Sequence, residues 1–186
     1  MGNTYTPRED SYLMQKFVEK LVSGKVLDMG TGSGIQAVTA ALKSEVTKVV
    51  AVDINPNALK YTKKRAIETG TSAKILFILS DLFECVEGKY DWILFNAPYL
   101  PSEGIFDETS WAGGRTGGEI IRRFLNEASN YLLPLGTILI VYSSISGLKK
   151  RDFKDFRFEL LKEEKLFFEK IYCVKLTPTN SNTESD

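Results

Sequence analysis

Short apolar runs rich in Val, Ile and Leu alternate along the chain with stretches whose apolar residues recur every three or four positions. Runs of the first kind lie at 25–29, 48–53, 74–79, 90–95 and 137–142. Their length and β-branched content predict strands buried in a sheet. Between them the spacing becomes helical. Ile35, Val38 and Leu42 follow a glycine loop at helical spacing, and Asn55-Pro56 sets an N-cap before a proline at the first helical position. A further helix is predicted from Gly118 to Leu133, with Ile121, Phe124, Leu125, Ala128 and Leu132 as its buried stripe, until Pro134 and Gly136 end it. This alternation predicts an α/β fold with a mainly parallel sheet. From Phe156 to Leu176 charged and aromatic residues mix without a Gly-Pro turn, which reads as two more strands with no visible junction. Residues 177–186 are polar and rich in Ser, Thr and Asn, as in a frayed tail, so a single domain over 1–176 is expected.

Composition narrows the chemistry more than the fold. At 43% hydrophobic and 26% charged the 186 residues are globular in type. No apolar run reaches the roughly 18 residues that cross a bilayer. The first residues, Met1 to Tyr5, lack the basic and apolar segments of a secretory signal. Cys85 and Cys173 form no CxxC pair. A soluble, cytoplasmic protein without a disulfide framework, a metal site or a membrane partner is therefore expected. Basic and acidic residues balance at 24 each, so no global field draws the chain onto nucleic acid, which is not expected as the main substrate. Lys149, Lys150 and Arg151 read as a solvated helix face. Histidine is absent. That removes histidine triads, histidine acid–base catalysis and histidine metal ligands together.

Candidate chemistry begins at Lys25-Val26-Leu27-Asp28-Met29-Gly30-Thr31-Gly32-Ser33-Gly34, where a strand runs into three alternating glycines and then a helix. Glycines permit positive φ and close approach of a ligand, and the strand ends of an open α/β sheet are where ligands bind. Nicotinamide sites favour GxGxxG, with pyrophosphate at the helix N-terminus; here the pattern is GxGxG. Asp28 before it opposes a pyrophosphate but suits the sulfonium and ammonium of S-adenosylmethionine. The second predicted strand ends at Asp53, a carboxylate able to accept both hydroxyls of a ribose. The third leads to Ser80-Asp81-Leu82, where Asp81 suits an adenine amino group and Leu82 its ring face. Three carboxylates thus stand at three successive strand ends. Candidate cofactor residues here are Asp28, Gly30, Thr31, Gly32, Gly34, Asp53, Asp81 and Leu82.

After the fourth strand comes Asn96-Ala97-Pro98-Tyr99. An amide or aromatic amine nitrogen is a poor nucleophile because its lone pair is delocalised. The Asn96 side-chain oxygen and the Ala97 carbonyl can each accept a hydrogen of a target NH₂, so that positioning supplies the catalysis. Pro98 restricts Ala97 to extended backbone, and Tyr99 can cover a planar group. Asn96, Ala97, Pro98 and Tyr99 are the candidate catalytic residues, with Asn96 also beside the cofactor.

Three segments together resemble one family: Tyr5-Thr6-Pro7-Arg8-Glu9-Asp10-Ser11, the Asp28–Gly34 loop with Asn96–Tyr99, and Trp111-Ala112-Gly113-Gly114-Arg115 with Gly117. The chain is similar to the HemK-like glutamine N5-methyltransferases, in particular their short archaeal and eukaryotic branch. The resemblance implies a class I, Rossmann-like methyltransferase: a mostly parallel seven-stranded sheet flanked by helices, its last strand antiparallel. It implies S-adenosylmethionine as cofactor, Ser11 against the methionine part of it, and the residues around Trp111 beside the substrate entrance. It implies as substrate the glutamine of the Gly-Gly-Gln loop of a peptide-chain release factor, and as partner a small zinc-binding activator docked on an exposed apolar sheet edge. Thr6 to Glu9 also read as a capping box with Pro7 at the first helical position. The family's Asn-Pro-Pro-Tyr is Asn-Ala-Pro-Tyr here: Ala97 keeps the carbonyl, loses the fixed φ and adds an N–H. Alternatives are an adenine or guanine amino-methyltransferase acting on RNA or DNA, a silent cofactor-binding subunit, and, more distantly, a dinucleotide reductase.

Overall fold

The computed structural model describes residues 8–97 and 118–179. Seven strands form one sheet in the order β3-β2-β1-β4-β5-β7-β6. They are β1 (Gly24–Met29), β2 (Val46–Asp53), β3 (Ile75–Leu79), β4 (Tyr90–Asn96), β5 (Leu132–Ser143), β6 (Phe156–Lys165) and β7 (Lys170–Pro178). β1 to β5 pair in parallel, and β7 runs antiparallel to both β5 and β6. The α/β class, the seven strands and the antiparallel last strand agree with the sequence reading. The strand order reverses between β1 and β4, so a crevice opens at their carboxyl ends, where open α/β sheets take ligands.

Alternation along each strand sorts the core into two layers. On β1 and β4, Leu27, Ile93 and Phe95 face one way, with Phe124, Leu125 and Ile121 of α4 (Glu119–Ala128) packed on them. Val26 and Leu94 face the other way, toward α1 (Glu9–Leu21) and α2 (Ile35–Leu42), with Ala66 of α3 (Pro56–Glu68) in the same layer. A period of two on a doubly covered sheet requires this division. Asn55 caps α3 as expected, its side chain accepting from Asn57 N–H at 2.9 Å, with Pro56 in the first turn. Among the described residues no helix is long and apolar enough to cross a membrane.

Four local expectations are corrected. The helix predicted to reach Leu133 ends at Ala128, passes through a 3₁₀ turn, and gives way to β5 at Leu132 rather than 137. Leu132 is buried as expected, but as a strand residue opposite Tyr90. The register slips between Tyr90 and Trp92, absorbing Pro134, which has no N–H to give a ladder, and turning Leu135 out at 92% exposure. α2 is buried nearly all round rather than along a stripe, and Leu42 at its end is exposed. α1 starts at Glu9, with Arg8 as an N-cap that makes no side-chain cap bond, so Glu9 opens the helix instead of closing a capping box. β7 continues through Thr177 and Pro178, two residues into the expected tail. The β6–β7 junction carries no glycine or proline; Leu166 N–H donates to the Glu169 carbonyl at 2.8 Å and leaves Phe167 and Phe168 almost fully exposed. The basic triplet at 149–151 is exposed, as expected.

Gly136 makes the slip possible. A Cβ there would lie 2.8 Å from the Tyr90 carbonyl oxygen and 2.9 Å from the Leu132 side chain. Gly136→Ala is expected to lower unfolding free energy by about 1–3 kcal/mol, read from urea denaturation. An unchanged midpoint would mean that the two strands part at no cost.

Candidate active site

At the carboxyl ends of β1, β2 and β4 lies a cavity of about 560 Å³. It is lined by Ser11, Asp28, Gly30, Thr31, Gly32, Asp53, Asp81, Leu82, Asn96 and Ala97, among others. The crevice therefore gathers nearly every described candidate residue. Gly34 is not in the lining. It begins α2 in left-handed backbone (φ 74°), where a Cβ would come within 2.6 Å of Thr62, so its smallness serves the packing of α2 on α3. Pro98, Tyr99, the segment around Trp111 and residues before Arg8 lie outside the described residues.

Asp28 holds the loop together. It is 1% exposed, and its Oδ2 accepts from the Thr31 hydroxyl at 2.7 Å and from the Ala37 N–H at 3.0 Å. Desolvation raises its pKa from 3.8 to about 7; the bonds from Thr31 and Ala37 oppose the rise, and the charge of Asp53 adds to it. Thr31 N–H in turn donates to the Val52 carbonyl, tying the loop to β2. Gly30 and Gly32 bend with φ of 64° and 52°, so that the Gly32 N–H reaches Asp53 Oδ2 at 2.8 Å.

Asp53 Oδ1 accepts the Asn55 N–H, also at 2.8 Å. Each oxygen thus has one backbone partner and keeps lone-pair capacity for a hydroxyl. Burial raises the pKa of this carboxyl, against its backbone hydrogen bonds. Asp81 carries a partner the sequence did not announce: Arg123 of α4, whose guanidinium donates to Oδ2 at 2.9 Å. Leu82 beside it has φ 47°, the single positive value among described residues other than glycine. A leucine held there is strained, and such strain gathers at ligand sites.

The far end of the cavity is made by α1 and β4. Asn96 Nδ2 donates to Asp10 Oδ2 and to Ser11 Oγ, both at 3.1 Å. Its Oδ1 is buried and has no partner among the described residues. Gln36 on α2 donates to the Ser11 carbonyl at 2.8 Å, and its own Oε1 is likewise buried and unpaired. Gln36 was missed by the sequence reading; a lone amide within the otherwise apolar Ile35-Gln36-Ala37-Val38 run was the available signal. Ala97 is 2% exposed, and its N–H donates to the Val141 carbonyl at 3.2 Å.

Residues 9–167 match the family model described as the methyltransferase small domain. An archaeal protein of Methanocaldococcus jannaschii, assigned as a protein N5-glutamine methyltransferase, is 39% identical over 91% of this chain and 89% of its own length. The chain belongs to this methyltransferase family. Methyltransferase HEMK2 of Mus musculus is 31% identical over 75% of the chain and 71% of the relative. Among solved structures, the E. cuniculi Mtq2-Trm112 complex, described as responsible for methylation of the eRF1 translation termination factor, superposes with a TM-score of 0.71 at 25% identity. That match covers 94% of this chain and 98% of the solved one. Ribosomal protein uL3 glutamine methyltransferases also match but are longer, and the chain spans 39% of the one from Bradyrhizobium diazoefficiens. The Ala97 N–H extends the β4–β5 ladder, a bond that a proline at this position could not make.

Asp28 gives the methyltransferase a pH signature. Its folded carboxyl holds a proton up to about 7, whereas an unfolded aspartate releases it near 3.8. Folding therefore takes up a proton between those values, and the Asp28 contribution to stability falls as pH rises through that window, levelling above it. Asp28→Asn keeps an acceptor for Thr31 and Ala37 but cannot titrate. Melting temperatures of ligand-free wild type, measured against Asp28→Asn, are expected to fall between pH 5 and pH 8. Parallel curves would show that Asp28 is ionised throughout.

Proposed function

We propose that this chain transfers a methyl group from S-adenosylmethionine to the side-chain nitrogen of the glutamine in the Gly-Gly-Gln loop of a peptide-chain release factor. The observation that carries this reading is Asn96: both hydrogens of its amide are directed at α1, and its buried Oδ1 is left without a partner. A buried unpaired acceptor is costly, by about 1–3 kcal/mol, unless a ligand satisfies it. A primary amide brings the matching N–H. The names of the relatives, a protein N5-glutamine methyltransferase and a complex acting on eRF1, support glutamine as the acceptor.

The cavity fits the cofactor group by group. Asp53 at the end of β2 offers spare acceptor capacity to two ribose hydroxyls, and Leu82 lines the cavity beside Asp81, where a purine would pack. Asp28, buried and reluctant to ionise alone, gains a counter-charge from a cationic ligand. Gly30, Thr31 and Gly32 let the chain pass close beneath, and Ser11 lies at the methionine end. When bound, the cofactor supplies an electrophilic methyl group on a cationic sulfur. Asn96 Oδ1 would accept one hydrogen of the target NH₂ and the Ala97 carbonyl the other, which orients the nitrogen for attack; with N–C bond formation and S–C bond cleavage the sulfur would leave as a neutral thioether, and the methylated nitrogen would lose one proton to water. No imidazole or metal is required of these residues.

The test is peptide mass analysis of a release factor incubated with the protein and S-adenosylmethionine. One added methyl on the Gly-Gly-Gln peptide is expected, and Asn96→Ala is expected to slow it by about 10²-fold or more with cofactor affinity retained in calorimetry. No methyl on the release factor, or equal rates for Asn96→Ala, would sink the reading; methylation of a uL3 glutamine instead would reassign the substrate.

The activator is proposed to be a small zinc-binding protein that adds a strand along the free edge of β3. There Leu76 and Leu79 are 46% and 54% exposed, an apolar edge of the kind that strand addition covers. Leu76→Lys combined with Leu79→Glu is expected to abolish co-elution with that partner in size-exclusion chromatography while leaving the circular dichroism of the chain unchanged. Undiminished co-elution would place the partner elsewhere.

A further inference from the structure

We infer that Asp10 is a positioning residue: it selects which end of the Asn96 amide faces the cavity. The inference rests on the glutamine reading above, because it concerns the acceptor that reading uses. An asparagine side chain has two ends of nearly equal size, and its last torsion is soft. Shape alone therefore does not decide whether an oxygen or an NH₂ is presented. The decision has to come from the electrical character of the neighbours.

Those neighbours are acceptors on both sides. Asp10 Oδ2 lies 3.1 Å from Asn96 Nδ2, and a carboxylate offers only acceptors. Ser11 Oγ lies at the same distance, and a hydroxyl is ambivalent by itself. Here Ser11 Oγ donates to Asp10 Oδ1 at 3.4 Å, so its oxygen meets Asn96 as an acceptor too. Asp10 thus fixes both contacts, one directly and one through Ser11. Turning the amide over would set its oxygen against two acceptors and point NH₂ hydrogens at the hydrogens of the incoming amide.

The surroundings strengthen the choice. Asp10 and Ser11 are 3% and 1% exposed, and in such dry surroundings hydrogen bonds are stronger and mismatches costlier. Gln36 pins the Ser11 carbonyl from α2, which holds the start of α1 in place. An acidic residue in the first turn of a helix also has a plain reading, stabilisation of the helix dipole. Glu9 occupies the same turn and is exposed, as that role requires; Asp10 is turned inward to a residue 86 positions away.

The experiment compares wild type with Asp10→Asn, whose own NH₂ can donate to the Asn96 oxygen and so permits the reversed amide. Single-turnover methylation of a release factor is expected to slow by about ten- to hundredfold, the range for losing a charge-assisted hydrogen bond. Calorimetric affinity for S-adenosylmethionine is expected to stay within about threefold, taken as the scatter of a neighbouring change. In ¹⁵N-edited spectra, the two Asn96 side-chain protons, identified by their loss in Asn96→Ala, are expected to exchange slowly in wild type and rapidly in Asp10→Asn. If Asp10→Asn does not fold, Ser11→Ala, which removes one acceptor, is read by amide exchange alone, expected to be faster than in wild type, because Ser11 also lies at the methionine end of the cofactor site. An unchanged rate and unchanged amide exchange would overturn the proposal, as would a rate loss matched by an equal loss of cofactor affinity. If wild type methylates no glutamine, the substrate reading fails and the amide exchange alone decides whether Asp10 orients Asn96.

Discussion

A buried carboxyl near the end of β1 is the constraint on which this site depends. Asp28 has neighbouring strands on both sides and is closed off beneath the first turn of α2, and among the described residues its carboxyl accepts from the Thr31 hydroxyl and the Ala37 N–H. Those two bonds determine where the glycine loop turns and where α2 begins. The turn brings the Gly32 N–H to Asp53, which joins the ends of β1 and β2 into one surface. The carboxyl is still held well above its ordinary range, because two hydrogen bonds do not replace full hydration. A buried acid that ionises reluctantly is poised for a cationic ligand.

The second half of the site depends on a different contact. α1 precedes the sheet in sequence but closes the cavity at the end of β4, where Asp10 and Ser11 meet Asn96. The switch in strand order between β1 and β4 makes room for that approach. The glycine loop after β1 and Asn96 at the end of β4 are thus carried by adjacent parallel strands, paired from Val26–Trp92 to Met29–Phe95. A rigid ladder between the two keeps their separation constant, as positioning catalysis demands.

At Ala97 the backbone is restrained without a proline. A proline at that position would restrain φ by its ring; the alanine N–H restrains the same backbone by a bond to Val141. Either residue would keep its carbonyl. The exposed Leu76 and Leu79 on β3 are a separate matter, since an edge strand leaves backbone groups and apolar side chains that a second chain can cover.

What the sequence determined by itself was whatever depends on neighbours along the chain. Short apolar, β-branched runs located the strands and a spacing of three to four residues the helices, Asn55-Pro56 located the start of α3, and glycines at 30 and 32 marked a loop whose backbone indeed takes positive φ. The residue types Asp28, Asp53 and Asp81 at strand ends, with Asn96 after the fourth, pointed to the cofactor and the acceptor nitrogen. Only the tertiary structure decided what lies across the fold. It set Gly34 against Thr62 rather than in the cavity, gave Asp81 an arginine partner from α4, and converted Leu132 from helix to strand by a register slip opposite Tyr90. It also directed Asp10, 86 residues from Asn96, onto that side chain's amide. Such pairings follow from which surfaces pack together, and periodicity along a chain carries no record of that.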